Sequence, residues 1–189
     1  HRVGVGTFKA EIPTEPILFA KTPNTLIGPG EPIVLPAFLH ECGFDRVRTH
    51  YEAELAFFIG RRCRRVQAAE AMSCVFGFTC ANDVSQRNLQ GLDKSGWFRG
   101  KSLDTFCPVG PCVTPAADLA EPGALRIRCR LNGRLVQDGN TRQMLFGIPD
   151  MIAFISSQIT LEAGDLILTG TPAGVGEIAH GDVVEVEID

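Results

Sequence analysis

Leu125-Arg126-Ile127-Arg128-Cys129-Arg130-Leu131-Asn132-Gly133-Arg134-Leu135-Val136 is the stretch on which the fold class turns. Leu125, Ile127, Cys129 and Leu131 alternate with Arg126, Arg128, Arg130 and Asn132. That period of two predicts a strand with one apolar face. Asn132-Gly133 is the pair favoured in two-residue hairpin turns, so Leu135-Val136 begins a return strand. Further on, Ile148, Met151, Ile152, Ile155 and Ile159 follow helical spacing, with Pro149 suited to a first helical turn. Asp165-Leu166-Ile167-Leu168-Thr169 reads as a buried strand. Val184, Val186 and Ile188 alternate with Glu185, Glu187 and Asp189 in a last, half-exposed one. Strands outnumber helices and do not alternate regularly with them, which favours an α+β, β-rich fold over a doubly wound sheet.

Working outward, the 189 residues suit one domain, taken as residues 1–189, and 44% apolar with 21% charged residues is globular composition. Lys plus Arg is 18 and Asp plus Glu is 22, a formal net charge of −4. That balance argues against a nucleic-acid partner, which needs a basic footprint, and makes the arginine row above a solvated strand face. No apolar run reaches the ~18 residues expected of a membrane span, and the opening His1-Arg2-Val3-Gly4 lacks signal-peptide features. Seven cysteines without a C-x-x-C pair point to free thiols in a reducing, cytoplasmic compartment.

Chemistry concentrates in four segments. Tyr51-Glu52-Ala53-Glu54-Leu55-Ala56-Phe57-Phe58-Ile59-Gly60 has the composition of a buried strand and carries two carboxylates. On one strand Glu52 and Glu54 share a face, about 6.5–7 Å apart at Cα, with His50 at the same parity. Two readings stand: a divalent cation between them, or an exposed edge with solvated glutamates. In Ala81-Asn82-Asp83-Val84-Ser85-Gln86-Arg87-Asn88-Leu89-Gln90, Asp83 either opens a helix with Gln86 in a capping-box variant or supplies a third oxygen ligand. Lys101, in a glycine-flanked apolar stretch, is either a snorkelling surface lysine or part of a site. Leu168-Thr169-Gly170-Thr171-Pro172-Ala173-Gly174-Val175-Gly176 lacks the Walker lysine, but its backbone N–H groups suit a small oxyanion.

Taken with Pro16-Ile17-Leu18-Phe19-Ala20-Lys21 and Ile27-Gly28-Pro29-Gly30, these segments resemble the fumarylacetoacetate hydrolase family, in the family's order and over nearly the whole chain. The glutamate pair, the Asn-Asp-x-Ser-x-Arg run, Gly100-Lys101-Ser102-Leu103-Asp104-Thr105 and the Thr-Gly-Thr-Pro loop are specific in combination. The resemblance implies a mixed β-roll, usually homodimeric. It implies Glu52, Glu54 and Asp83 as ligands of Mg²⁺, or of Mn²⁺ or Ca²⁺, which fits an all-carboxylate donor set. It implies Lys101 as the active-site lysine, bringing a cluster of net −1 with its metal back toward neutrality. Gln90, Thr105, Gly170 and Thr171 would line the pocket, with Arg87 holding the metal loop.

The activity so implied is metal-dependent chemistry on a small 2-oxo acid through a stabilised enolate. Hydrolysis of the C–C bond of an acylpyruvate comes first. Decarboxylation or isomerisation of a dicarboxylic oxo acid, or metal and oxyacid binding without turnover, are the alternatives. The family's lid, with a histidine to activate water, is expected between Gly6 and Thr7, where the sequence runs on without it.

Overall fold

The computed structural model describes residues 12–94 and 96–189. The lid position between Gly6 and Thr7 lies outside the described residues. In chain order the elements are β1 (Leu26–Ile27), β2 (Thr49–Tyr51), β3 (Ala53–Ile59), α1 (Ala68–Ala71), β4 (Val75–Asn82), β5 (Ser85–Gln86), α2 (Arg87–Leu92), α3 (Phe98–Lys101), β6 (Cys107–Pro115), β7 (Arg126–Leu131), β8 (Arg134–Asn140), α4 (Ile148–Gln158), β9 (Leu166–Leu168), β10 (Gly176–Glu177) and β11 (Val184–Ile188).

Among the described residues the strands form three sheets, ordered β1-β6-β4-β3-β9, β10-β2-β5 and β11-β7-β8. The β1–β6 pair is parallel and the others are antiparallel, so the fold is the mixed, strand-rich one expected. The hairpin of β7 and β8 forms as read, with Asn132 at φ 53° and Gly133 at φ 77° in its turn. The arginine row on β7 is exposed in part and ion-paired, Arg126 to Asp138 and Arg128 to Glu187 and Asp189.

The core lies where β3, β7 and α4 meet. Leu55, Phe57 and Ile59 of β3 pack with Ile127 and Cys129 of β7 and with Ile148, Ile152 and Ile155 of α4. Each of these large side chains gains about 1.5–3 kcal/mol from leaving water. Ile159 is 54% exposed, because α4 ends at Gln158 and leaves that position outside the helical stripe. All seven cysteines are free; four are buried, and burial pushes the Cys107 and Cys129 thiols up to about 12. Such thiols stay protonated and serve as small apolar residues. No helix among the described residues is long and apolar enough to cross a membrane.

Two departures from the sequence reading position the site. The expected strand over 51–60 is interrupted: β2 ends at Tyr51, β3 starts at Ala53, and Glu52 sits in the break. There the Asn82 side chain accepts the Glu52 N–H at 2.9 Å, and the Asp83 N–H donates to the Glu52 carbonyl at 2.9 Å. The bend is therefore satisfied by the neighbouring chain rather than by a ladder. The second concerns the helix after Asp83. Asp83 does not cap it; Gln86 is the N-cap of α2, its side chain accepting the Leu89 N–H at 2.8 Å.

Helix α3 is a single turn that ends on Lys101 and packs tightly on α2. A Cβ on Gly100 would fall 2.6–2.8 Å from the Cβ, Cα and N of Gln90, so only glycine allows this approach. Gly100→Ala is expected to cost about 1–3 kcal/mol, as overpacking does. It should also displace Lys101. Thermal unfolding checks this, and a variant with an unchanged melting temperature would show that α3 tolerates the shift.

Candidate functional site

Glu52, Glu54 and Asp83 converge. Each offers one carboxylate oxygen, those oxygens lie within 4.8 Å of one another, and all three residues are buried. Glu54 projects from β3, Glu52 from the break before it, and Asp83 from the end of β4 beside it. The backbone hydrogen bond from the Asp83 N–H to the Glu52 carbonyl noted above fixes two of the three to each other.

Three cations close the cluster. Lys101 is 2% exposed, so it is not a snorkelling surface lysine. Its Nζ lies 2.8 Å from Glu52 Oε2 and 2.5 Å from Asp83 Oδ2, and 4.9 Å from the centroid of the Phe19 ring. Lys21 Nζ lies 2.8 Å from Asp83 Oδ1 and donates to the Lys101 carbonyl at 2.5 Å. Arg87 spreads its guanidinium over Glu52 Oε1, Gln90 Oε1 and His50 Nδ1. His50 thus faces Arg87, and burial together with that guanidinium pushes its pKa down to about 4, so it is a neutral acceptor.

Glu54 is treated differently. Its Oε2 accepts the Gly170 N–H at 2.6 Å, and among the described residues no lysine or arginine forms an ion pair with it. Burial and the charges of Asp83 and Glu52 hold its carboxyl well above the usual range. Burial also works against the Asp83 carboxylate, but Lys101 and Lys21 outweigh it and lower its pKa. Burial works against the Lys101 ammonium too, and Asp83 and Glu52 outweigh it in turn, so Lys101 stays protonated.

An all-oxygen set containing one carboxylate short of positive charge fits a hard divalent cation, and Glu52, Glu54 and Asp83 are the residues that would hold it. The expected near-neutral balance needs correcting. Among the described residues three carboxylates meet three side-chain cations, Lys21, Lys101 and Arg87, so a divalent ion would leave these groups with a formal charge of +2. Lys21 and Arg87 change the sum: Lys21 reaches Asp83 from a segment distant in sequence, and Arg87, though near Asp83 in the chain, turns its guanidinium onto Glu52.

The pocket residues are placed unevenly. Gln90 is on Arg87, one contact from Glu52. Gly170 directs its N–H at Glu54, so the oxyanion met by the glycine loop is a side chain of this protein. The Thr171 hydroxyl donates to the Ala53 carbonyl at 2.8 Å and accepts from Gln137 Nε2 at 2.8 Å, tying the loop to β3. Thr105, at φ 67°, accepts the Val34 N–H at 2.8 Å, and its own N–H donates to the Asn24 carbonyl. Lys21, Asn82 and Gln137 were not singled out by the sequence. Gln137 leaves a trace there, as a polar residue on the strand register opposite buried Cys129.

Residues 3–189 match the family described as Fumarylacetoacetate (FAA) hydrolase C-terminal. Oxaloacetate tautomerase FAHD2A, mitochondrial, from Homo sapiens is 42% identical over 187 residues, covering 94% of this chain and 57% of that protein. The chain therefore spans little more than half of that relative's length. A crystal structure of 2-hydroxyhepta-2,4-diene-1,7-dioate isomerase from Mycobacterium marinum superposes with a TM-score of 0.85 at 42% identity, covering 94% of this chain and 66% of its own. Maleylpyruvate hydrolase from Sphingobium sp. SYK-6, in complex with manganese(II) and pyruvate, superposes at 0.80 with 40% identity, covering 90% of this chain and 60% of its own. The convergence of the three carboxylates, the strand-rich fold around them and these likenesses agree: the chain belongs to the fumarylacetoacetate hydrolase C-terminal family.

Proposed function

We propose that this chain provides the catalytic centre of a divalent-metal-dependent enzyme that enolises a small dicarboxylic 2-oxo acid. The observation that carries this reading is the charge balance of the cluster. Its own cations already match its carboxylates, and a divalent ion would leave two positive charges to meet a dianionic substrate. A divalent ion bound there supplies Lewis acidity to the carboxylate and carbonyl oxygens of a 2-oxo acid. Lys101 keeps a fixed ammonium beside the reacting group, where it stabilises negative charge developing on the enolate oxygen. Arg87 holds Glu52 and Gln90 in place, and Lys21 holds Asp83.

Tautomerisation needs only the enolate and a proton returned to it, and it is the activity in the printed name of the human relative. C–C hydrolysis of an acylpyruvate-type substrate, in which water adds to the acyl carbonyl and the C–C bond breaks to expel the 2-oxo acid as its enolate, is the second reading, favoured by the maleylpyruvate hydrolase likeness. Both reactions form a 2-oxo-acid enolate, though not the same one, so the carboxylate triad would serve either.

The test is a turnover screen of the full-length protein. Oxaloacetate tautomerisation and acylpyruvate cleavage are followed with Mg²⁺ or Mn²⁺ and after EDTA treatment. Turnover should vanish with EDTA and return with either ion. Activity that survives thorough chelation, or binding of oxo acids without any turnover, would overturn the proposal.

A further inference from the structure

We infer that Gln137, on β8 in the β11-β7-β8 sheet, is a positioning residue that fixes Glu54 through the loop carrying Gly170. The inference rests on the reading of Glu52, Glu54 and Asp83 as the metal-holding cluster. Gln137 is 1% exposed and makes three hydrogen bonds. Its Oε1 accepts the Ala53 N–H at 3.0 Å, and its Nε2 donates to Thr171 Oγ1 at 2.8 Å and to the Pro172 carbonyl at 2.9 Å. The Thr171 hydroxyl then donates to the Ala53 carbonyl at 2.8 Å, which closes the ring.

Ala53 is the residue between Glu52 and Glu54. Both its backbone polar groups are therefore engaged in this ring, and neither of the peptide units flanking its Cα can rotate without breaking a ring bond. One residue before Thr171 the loop gives the Gly170 N–H to Glu54 Oε2. One residue earlier still, Thr169 bonds the Leu55 carbonyl through both its N–H, at 3.1 Å, and its hydroxyl, at 2.8 Å. The loop is also pressed onto β8. A Cβ on Gly174 would fall 2.3 Å from the Val136 carbonyl oxygen, and one on Gly139 would fall 2.5 Å from the Pro172 Cβ. A buried amide in a core needs partners, but these partners are the two segments whose relative position sets the Glu54 environment. Groups that orient a metal ligand in this way typically change metal affinity or activity about 10- to 100-fold when removed.

The experiment uses Mn²⁺ as the probe on the full-length protein. Mn²⁺ affinity is read by electron paramagnetic resonance, and exchange of the Gly170 amide by nuclear magnetic resonance, for wild type, Gln137→Met and Ile127→Val. Ile127→Val trims the core on β7 and serves as the control for plain loss of packing. Gln137→Met should bind Mn²⁺ about tenfold more weakly or worse and exchange the Gly170 amide faster, and excess Mn²⁺ should restore much of its turnover. Ile127→Val should lower the melting temperature with Mn²⁺ affinity unchanged. If Gln137→Met does not fold, Thr171→Val, which removes the same ring, takes its place with the same expectations. Wild-type affinity in a folded ring variant overturns the inference and leaves the proposed function standing. A wild type that binds no Mn²⁺ overturns the proposed function instead. The inference is then decided by the amide alone, supported by faster exchange and overturned by unchanged exchange.

Discussion

Glu54→Gln is expected to make the metal-free protein more stable and to remove its metal-dependent turnover. Glu54 is 3% exposed and lies beside two other carboxylates with one backbone N–H to its credit. Replacing it with a neutral amide of the same shape relieves the buried like-charge contact and keeps an acceptor for Gly170. A gain of about 1 kcal/mol is reasonable for a functional residue held against its environment. In a chain of this size that raises the melting temperature by roughly 2–4 °C. The same change removes one of three anionic ligand groups, so turnover should fall by more than the ~100-fold typical of a supporting residue. A pH series sharpens the test. Because the folded state raises the pKa of Glu54, it binds that proton more tightly than the unfolded chain does. The contribution is fully present below the ordinary glutamate range and is lost as pH rises through the raised value. Stripped of metal, wild type should lose stability over that window relative to Glu54→Gln. Parallel stability curves for the two, or full activity in the variant, would overturn the account.

Lys101→Met should act in the opposite sense on stability. The ammonium is shared by Glu52 and Asp83, and among the described residues its removal leaves these two buried carboxylates with Arg87 and Lys21. Breaking a buried pair in this way costs about 3–5 kcal/mol. That corresponds to a drop of about 10 °C for a domain of this size. Turnover should fall at least about 100-fold, because the fixed positive charge beside the enolate is gone. Added Mn²⁺ should raise the melting temperature of the variant more than that of wild type, since a bound cation then supplies charge that the side chain no longer does. Calorimetry with and without Mn²⁺ checks this. Equal melting temperatures for variant and wild type would mean that the cluster sheds its charge by taking up a proton.

What the sequence made legible divides by distance along the chain. The β7–β8 hairpin, β9, β11 and the body of α4 were readable because periodicity and turn chemistry are local signals. The break at Glu52 was not, because it is stabilised by the Asn82 side chain and the Asp83 N–H, about thirty residues on. Of the two readings of Asp83, the helix-opening one fails for a related reason. Asp83 and Gln86 are spaced like a capping box, yet the Asp83 carboxylate is claimed by Lys21 and Lys101, and Gln86 caps the helix itself. Glu52, Glu54, Asp83 and Lys101 could be named through the family resemblance, while composition left each of them two readings. Gln137 was missed because its partners, Ala53 and the 171–172 turn, lie 34 to 84 residues away.

The equality of cations and carboxylates has a consequence for how such a protein is supplied with metal. Zinc fingers need their ion to fold at all. Here lysine and arginine already stand in as counterions, so the fold would not depend on an ion being present. If the proposed centre takes a metal, loading would be a late and reversible step. The hard cation abundant around the finished protein, rather than the folding pathway, would choose the metal.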